Sequence, residues 1–323
     1  MRLDAPAGSV PSARLTIVDA ARGAALVAMA VYHFAWDLRF YSLIAAEVST
    51  GFGWRLFAHL IAGSFLGLVG VSLVLATRHG IRWRAFGRRL ALIVAAALAV
   101  TAVTRWLFPD DHIFFGILDE IAVASVVGLA FVRLPWWLTA VVAAAVFAAP
   151  AFLASPAFNH PLLWWTGLLT VYPATNDFEP VLPWFGYTLL GIALARLVLP
   201  KGERLLARWQ SRGPLSGALV WGGRHSLAIY LAHQPILFGI ATGLSLVLAP
   251  VPPPGPPGAA FRESCVAACR SHGTAAARCT AMCGCIVDDL RETPLWPSVV
   301  ANRMSPAEEA RASAVARRCA APP

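Results

Sequence analysis

The sequence predicts an all-α protein: a polytopic membrane helix bundle of about seven transmembrane helices, followed by a small disulfide-stapled helical tail. The 323 residues are 58% hydrophobic and only 13% charged, whereas soluble domains carry about 25% charged residues. Apolar runs of roughly 20 residues, long enough to span a bilayer as a helix, recur along most of the chain. All six cysteines lie in the polar segment after these runs.

Seven apolar segments define the predicted membrane helices in order. They are 23–44, 56–77, 90–108, 113–132, 137–153, 183–199 and 224–248. The apolar stretch 161–171 is too short to cross and is interpreted as a re-entrant or interfacial segment. The predicted organisation is a flexible N-terminus at 1–13, a membrane domain at 14–249, a Pro/Gly-rich linker at 250–258 and a cysteine-rich tail at 259–323.

The basic residues predict how the chain is oriented. The net charge is +9, and arginines concentrate in the loops that follow the second, fourth and sixth predicted helices. This bias is typical of the cytoplasmic side of a membrane protein rather than of a nucleic-acid surface. With the N-terminus on that side and an odd number of crossings, the tail is expected outside the cytoplasm.

The cysteine spacing predicts a helical hairpin in the tail. Two pairs of cysteines are each spaced by four residues, so each pair lies on one face of a helix. The simplest disulfides are Cys265–Cys283, Cys269–Cys279 and, as the remaining pair, Cys285–Cys319. Free thiols or a metal site are the alternatives, but this spacing without paired histidines is a poor zinc signature, and no metal is expected. Disulfides form in oxidising compartments, which agrees with a tail outside the cytoplasm.

Ionisable side chains lie inside the predicted membrane helices. His33 is about 15 Å deep in the first helix at 1.5 Å per residue, where a charged group costs about 2.5 kcal/mol or more. Asp37, one turn later on the same face, is expected to orient the His33 imidazole for general-base work. Asp119 and Glu120 in the fourth helix and His233 in the seventh are expected at similar depth. We therefore predict one polar cavity; the alternative is a packing cluster without chemistry.

Arginines form a second candidate group, at the cytoplasmic face. Arg88 and Arg89 open the third predicted helix, and Arg22 enters the apolar run of the first. The guanidinium fork binds phosphate groups bidentately, so these side chains are candidate ligands for an anionic donor. The alternative for Arg22 is an ion pair with Asp19, and for the other two it is an orientation signal.

Several motifs, in their order and spacing, resemble those of transmembrane acyltransferases. They are Asp19-x-x-Arg22-Gly23-x-Ala25 continued to His33, Ile61-Ala-Gly-Ser-Phe-Leu-Gly-Leu-Val-Gly-Val-Ser72, Phe114-Phe-Gly-Ile-Leu118, Pro183-Trp-Phe-Gly186, and Gly223-Arg-His-Ser-Leu-Ala-Ile-Tyr-Leu-Ala-His233-Gln-Pro. The first helix is similar to that of the acyltransferase-3 family. The membrane part as a whole, about residues 14–248, most resembles bacterial relatives of the heparan-alpha-glucosaminide N-acetyltransferase family.

The resemblance implies an integral enzyme of the bacterial inner membrane that moves an acyl group, commonly acetyl. Acetyl-coenzyme A would be the donor substrate, and a periplasmic glycan or glycolipid the acceptor. The first-helix arginine and histidine of the acyltransferase-3 family match Arg22 and His33, and the paired arginines before the third helix resemble Arg88 and Arg89. The sequence departs from the heparan enzyme near Ile44, where that enzyme has its histidine, so the heparan substrate does not carry over.

Two other functions are compatible with the same residues. A proton-coupled transporter would use the buried carboxylates and histidines as a relay, and a non-catalytic membrane scaffold would display the tail. The acceptor, the acyl chain and the oligomeric state, including a homo-oligomer, stay open.

Overall fold

The computed structural model describes residues 15–248, 251, 258–271, 274–300 and 304–320. These ranges form α-helices joined by turns, which confirms the predicted all-α membrane bundle with a disulfide-bonded tail. The predicted flexible N-terminus at 1–13 and nearly all of the predicted linker lie outside the described residues. The described residues divide into two compact units, one within 15–38 and 46–247 and the other comprising 39–45 and the described residues from 248 to 320.

The first unit contains the membrane helices. Their bounds are α1 Thr16–Phe40, α2 Phe52–Thr77, α3 Trp83–Leu107, α4 Ile117–Gly128, α5 Trp136–Leu153, α6 Val181–Arg208, α7 Pro214–Arg224 and α8 Ser226–Ser245. Within the described residues, six helices are long and apolar enough to cross a membrane: α1, α2, α3, α5, α6 and α8. The short apolar stretch after α5 begins with a 3₁₀ turn, Pro161–Thr166.

The fourth predicted helix, 113–132, is much shorter in the structure than the sequence suggested. Its helical part, α4, has 12 residues and begins only at Ile117. The Ile117 amide donates to the Asp177 carboxylate at 3.3 Å, whereas the turn after α4 meets α6, where Arg196 donates to the Arg133 carbonyl at 3.3 Å. Ile117 shares a core cluster with Ala62 and Leu66 in the middle of α2, so α4 begins part-way along the bundle and covers only about 18 Å.

Close contact between α2 and α6 forms the centre of the bundle. A Cβ on Gly191 would overlap the Gly67 carbonyl oxygen, and one on Gly70 would overlap the Thr188 carbonyl oxygen. The Thr188 hydroxyl, fully buried, donates to the Leu66 carbonyl at 3.2 Å. Small residues let helix backbones approach closely where lipid offers no hydrophobic driving force for association. These two helices therefore form a rigid frame against which the others pack.

The second unit contains the cysteine-rich tail. Its helices are α9 Ala259–Ser271, α10 Ala276–Arg291, α11 Trp296–Val300 and α12 Pro306–Ala320. The three predicted disulfides are confirmed: Cys265–Cys283 and Cys269–Cys279 join α9 to α10, and Cys285–Cys319 joins α10 to α12. Ile286, Leu290, Leu295 and Val299 form a small core between these helices.

A possible metal-ligand group in the tail consists of Cys285, Asp289 and Cys319, whose ligand atoms lie within 4.8 Å of one another. The sulfurs of Cys285 and Cys319 form a disulfide. Since the thiolate is the form that binds metal, these two sulfurs are not metal ligands in the oxidised tail.

The close α2–α6 contact predicts that its glycines cannot be replaced by larger residues without loss of stability. We expect Gly191→Ala to destabilise the protein by about 1–3 kcal/mol, because the added methyl group meets backbone that cannot yield. Thermal unfolding of the detergent-solubilised protein measures this effect. Gly243→Ala in α8 is the control, since a Cβ there has no described heavy atom within 4 Å; equal behaviour of the two variants would contradict the proposed contact.

Candidate active site

A buried hydrogen bond joins α1 to α8. Gln234 Nε2 donates to Asp37 Oδ1 at 2.7 Å, and Asp37 is 0% exposed. Among the described residues, the remaining polar atoms of the pair, Asp37 Oδ2 and Gln234 Oε1, have no hydrogen-bond partner. The expected hydrogen bond, in which the His33 imidazole would donate to the Asp37 carboxylate, is therefore not formed. His33 lies one turn before Asp37 in α1, but the carboxylate accepts its hydrogen bond from Gln234 of α8 instead.

His33 instead faces a second histidine. The His33 and His233 ring centroids are 5.0 Å apart, with an edge-on geometry. Tyr32 meets the His33 ring from α1 itself, with centroids 5.7 Å apart, and Tyr230 meets the His233 ring from α8 at 5.6 Å. The sequence prediction that α1 and α8 contribute ionisable groups to one site is consistent with this geometry, which brings two imidazoles together inside the first unit.

The hydrogen bonding of His233 defines its tautomer. Its Nδ1 bonds to the backbone carbonyl of Tyr230, one turn earlier in α8. A carbonyl oxygen only accepts hydrogen bonds, so Nδ1 carries the proton and Nε2 of the neutral ring carries a lone pair. Nε2 is buried, and no described residue donates a hydrogen bond to it.

Carboxylates surround the beginning of α4. Asp119 Oδ2 accepts from the Gly116 amide at 3.0 Å, and Asp177 Oδ2 accepts from the Ile117 amide at 3.3 Å. Asp119 and Glu120 were expected inside a longer fourth helix, and they lie in the first turn of α4 because that helix begins at Ile117. Glu120 is 0% exposed, and neither of its oxygens has a described partner.

The loop before α6 completes this group, which we call the carboxylate end of the bundle (Asp119, Glu120, Asp177 and Glu179). The loop runs beside residues 111–117, with the Glu179 amide donating to the Phe115 carbonyl at 3.1 Å. Burial raises the pKa of the Asp177 carboxyl to about 6. The hydrogen bond from the Ile117 amide lowers this pKa, and the nearby Asp119 charge raises it. Burial, together with Asp177 and Glu120, raises the pKa of Glu179 well above its usual value.

Two tyrosines connect the histidine pair to the carboxylate end. Asp177 and Glu179 act electrostatically on the hydroxyls of both Tyr32 and Tyr230. The rings of these tyrosines pack against His33 and His233, so the carboxyl groups of the loop before α6 lie within electrostatic range of the histidine pair.

The opposite end of the bundle holds a network around Asp19, which is 3% exposed. Arg22 donates to Asp19 at 3.1 Å, to the Ser72 hydroxyl at 2.9 Å and to the Gly223 carbonyl at 3.3 Å. Arg224 also pairs with Asp19, at 3.4 Å. The ion pair weighed as the alternative for Arg22 is thus present, and Arg22 links α1 to α2 and α7.

Arg89 from α3 lies in the same region. Its guanidinium is close enough to Arg22 for the two like charges to interact, and Arg89 and Arg88 are both exposed. We call Asp19, Arg22, Arg89 and Arg224 the arginine end. Within this group Arg22 is largely buried and bonded to Asp19, whereas Arg89 and Arg224 are exposed.

Sequence reasoning missed three contributors to this arrangement. Gln234 directly follows a predicted site histidine in an apolar helix, and that polar pair was the available signal. Tyr230 sits one turn before His233, which places its carbonyl within reach of the ring. Ser72 carries no signal in an isolated sequence, because its role depends on α2 lying beside α1.

Comparison of the sequence with known proteins finds a match to one protein family. The family model described as heparan-alpha-glucosaminide N-acetyltransferase, catalytic, matches residues 14–235, more than half of the 323 residues. No curated protein and no solved structure matches the chain. The matched range contains His33, Asp37 and His233 and ends before the tail.

The Asp37–Gln234 bond predicts a difference between two substitutions. Asp37→Asn keeps an oxygen that accepts from Gln234, so we expect stability near that of the wild type. Asp37→Leu leaves the Gln234 amide buried without an acceptor and should cost about 1–3 kcal/mol. Thermal unfolding in detergent checks this, with Asp110→Leu in an exposed loop as the control. An equal loss in the Asn and Leu variants would show that charge, rather than the hydrogen bond, matters at Asp37.

Proposed function

Because this chain belongs to the heparan-alpha-glucosaminide N-acetyltransferase catalytic family, we propose that it transfers an acyl group across a membrane-embedded site. The donor is acyl-coenzyme A, with acetyl-coenzyme A as the simplest case, and the acceptor is a glycan or glycolipid on the periplasmic side of a bacterial inner membrane. The observation that carries the proposal is the His33–His233 pair, held inside a bundle that gathers arginines around Asp19 and carboxyl groups around the start of α4.

The arginine end is the proposed donor side. Coenzyme A carries several phosphate charges, which Arg22, Arg88 and Arg89 would bind, with the Asp19 network holding Arg22 in place. His33 follows Arg22 by eleven residues along α1, a rise of about 16 Å. The extended arm of the donor would cover this distance and bring the thioester to the imidazole.

The carboxylate end is the proposed acceptor side. Carboxylate oxygens accept hydrogen bonds from hydroxyl and amine groups, which are what a glycan presents. Asp177 and Glu179 lie in a loop, and Glu120 has unpartnered oxygens beside them. The disulfides of the tail support a periplasmic C-terminus, because they persist in oxidising compartments.

His33 would act as the general base. Its imidazole removes the proton of the acceptor hydroxyl or amine while the acceptor atom bonds to the thioester carbon. The carbon–sulfur bond then breaks, and the protonated imidazole returns the proton to the leaving sulfur. The products are the acylated acceptor and free coenzyme A. Asp37, through Gln234, would hold α1 and α8 in register for this step.

Proton-coupled transport is a second candidate, favoured by one observation. Glu120 is fully buried with both oxygens unpartnered among the described residues, and such intramembrane carboxylates mark proton relays. Uptake of a solute into proteoliposomes without any covalent product would favour transport over transfer.

The acyltransferase proposal is tested with the purified full chain, radiolabelled acetyl-coenzyme A, and glucosamine or glucose as acceptor probes. We expect acetylated sugar in the presence of wild-type protein and an at least hundredfold lower rate for His33→Gln, because general-base catalysis contributes about 10²–10⁴-fold. His79→Gln, in an exposed loop, is the matched control and should keep the wild-type rate. A His33→Gln variant with full activity would remove His33 from the mechanism.

The donor side is tested separately by substrate affinity. Arg89→Gln should raise the KM for acetyl-coenzyme A about tenfold, which is about 1.4 kcal/mol of lost phosphate binding, and leave kcat nearly unchanged. Arg84→Gln, from the same exposed start of α3, should change neither constant. If the two variants behaved alike, the donor would bind elsewhere.

A further inference from the structure

We propose that His233 is a positioning residue that accepts a hydrogen bond from His33 through Nε2 and so fixes the orientation of the reactive imidazole. The inference rests on the proposed function for its role in catalysis, but its structural part can be tested without any activity. It replaces the arrangement expected from the sequence, in which Asp37 would have held the His33 ring.

The first observation is the fixed tautomer of His233. Its Nδ1–H is donated to the Tyr230 carbonyl within the same helix. This bond leaves Nε2 as the only acceptor on the ring. The side chain therefore cannot exchange the two nitrogens without losing a hydrogen bond inside an apolar bundle.

The second observation is that this acceptor is buried and lacks a partner. Among the described residues, no donor reaches His233 Nε2, and a buried polar atom without a hydrogen bond costs free energy. The His33 ring lies against the His233 ring at 5.0 Å between centroids. A ring N–H of His33 is thus the nearby donor that we assign to this acceptor. We expect the bond to shorten when substrate binds, as catalytic hydrogen bonds commonly do.

The third observation is the clamp beside the two rings. Gln234 follows His233 directly, and Asp37 lies one turn after His33, so their 2.7 Å hydrogen bond holds α1 against α8 next to the imidazoles. Asp37 Oδ1 accepts this bond and Asp37 Oδ2 has no described partner, so no hydrogen bond joins the carboxylate to the His33 ring, and Asp37 serves as an anchor of the helices. The ring that faces His33 from the other helix is that of His233.

In the reaction, the two histidines would have different tasks. The substrate-facing nitrogen of His33 takes the proton from the acceptor and gives it to the departing sulfur. The other nitrogen of His33 keeps its hydrogen and donates it to His233 Nε2 throughout. His233 neither gains nor loses a proton, so no charge has to be carried by its helix.

This arrangement differs physically from a histidine held by a carboxylate. A carboxylate would stabilise the imidazolium strongly, but it would have to stay ionised at membrane depth, which is costly. A neutral imidazole acceptor also orients the His33 ring. It stabilises the imidazolium less than a carboxylate would, but it avoids the cost of keeping a carboxylate ionised in the membrane. His233 therefore suits a base that works inside lipid.

The activity test compares three variants of the full-length protein, with acetyl-coenzyme A and glucosamine as probes. His233→Gln places an amide oxygen near the position of Nε2 and should stay within tenfold of the wild-type kcat. His233→Asn, whose shorter amide does not reach His33, and His233→Phe, which has no acceptor, should lose at least hundredfold. The KM for acetyl-coenzyme A should be unchanged in all three. Equal losses for Gln and Asn would overturn the proposal.

A second measurement does not depend on activity. Nitrogen-15 NMR of histidine-labelled protein, with His233→Gln used to assign the signal, should show a protonated Nδ1 and an unprotonated Nε2 in His233. An Nε2–H tautomer would overturn the positioning role even if the enzyme is active. Conversely, the expected tautomer in a protein that transfers no acetyl group would mean that the proposed function fails while the histidine arrangement stands.

Discussion

The hydrogen bond between Asp37 and Gln234 is the interaction on which the candidate site depends. It connects two helices through a carboxylate that is fully buried within the protein. Interhelical hydrogen bonds in membranes contribute about 0.6–2 kcal/mol each, a modest energy. Its larger effect is directional, because it selects the rotation of α1 and α8 at which His33 and His233 face each other.

The two ends of the bundle are electrostatically distinct. Guanidinium groups gather around Asp19 at one end, and carboxylates gather around the start of α4 at the other. The histidine pair lies on helices that connect these ends. Guanidinium groups attract anions, so the arginine end is the more favourable of the two regions for an anionic ligand.

Much of this architecture is predictable from a single sequence, because membrane-helix length and cysteine spacing are local signals. The six long helices and all three disulfide pairings follow from them. His33 and His233 stand out as ionisable groups in apolar segments, and the structure brings them together. The partner of Asp37 was not predictable, since intrahelical spacing favours His33, whereas Gln234 arrives from a helix almost two hundred positions later. The late start of α4 also escaped prediction, because residues 113–116 are as apolar as a helix but bond to another loop.

The short α4 helix spans only part of the thickness of a membrane. With 12 residues, this helix has about 18 Å of regular backbone, well below the roughly 30 Å of a bilayer's hydrocarbon core. The non-helical approach to α4 is shielded by the loop that precedes α6, as irregular backbone at such depth must be. For the transfer proposed above, a helical path this short would let an acyl group pass between the two sides of the membrane without either substrate crossing it.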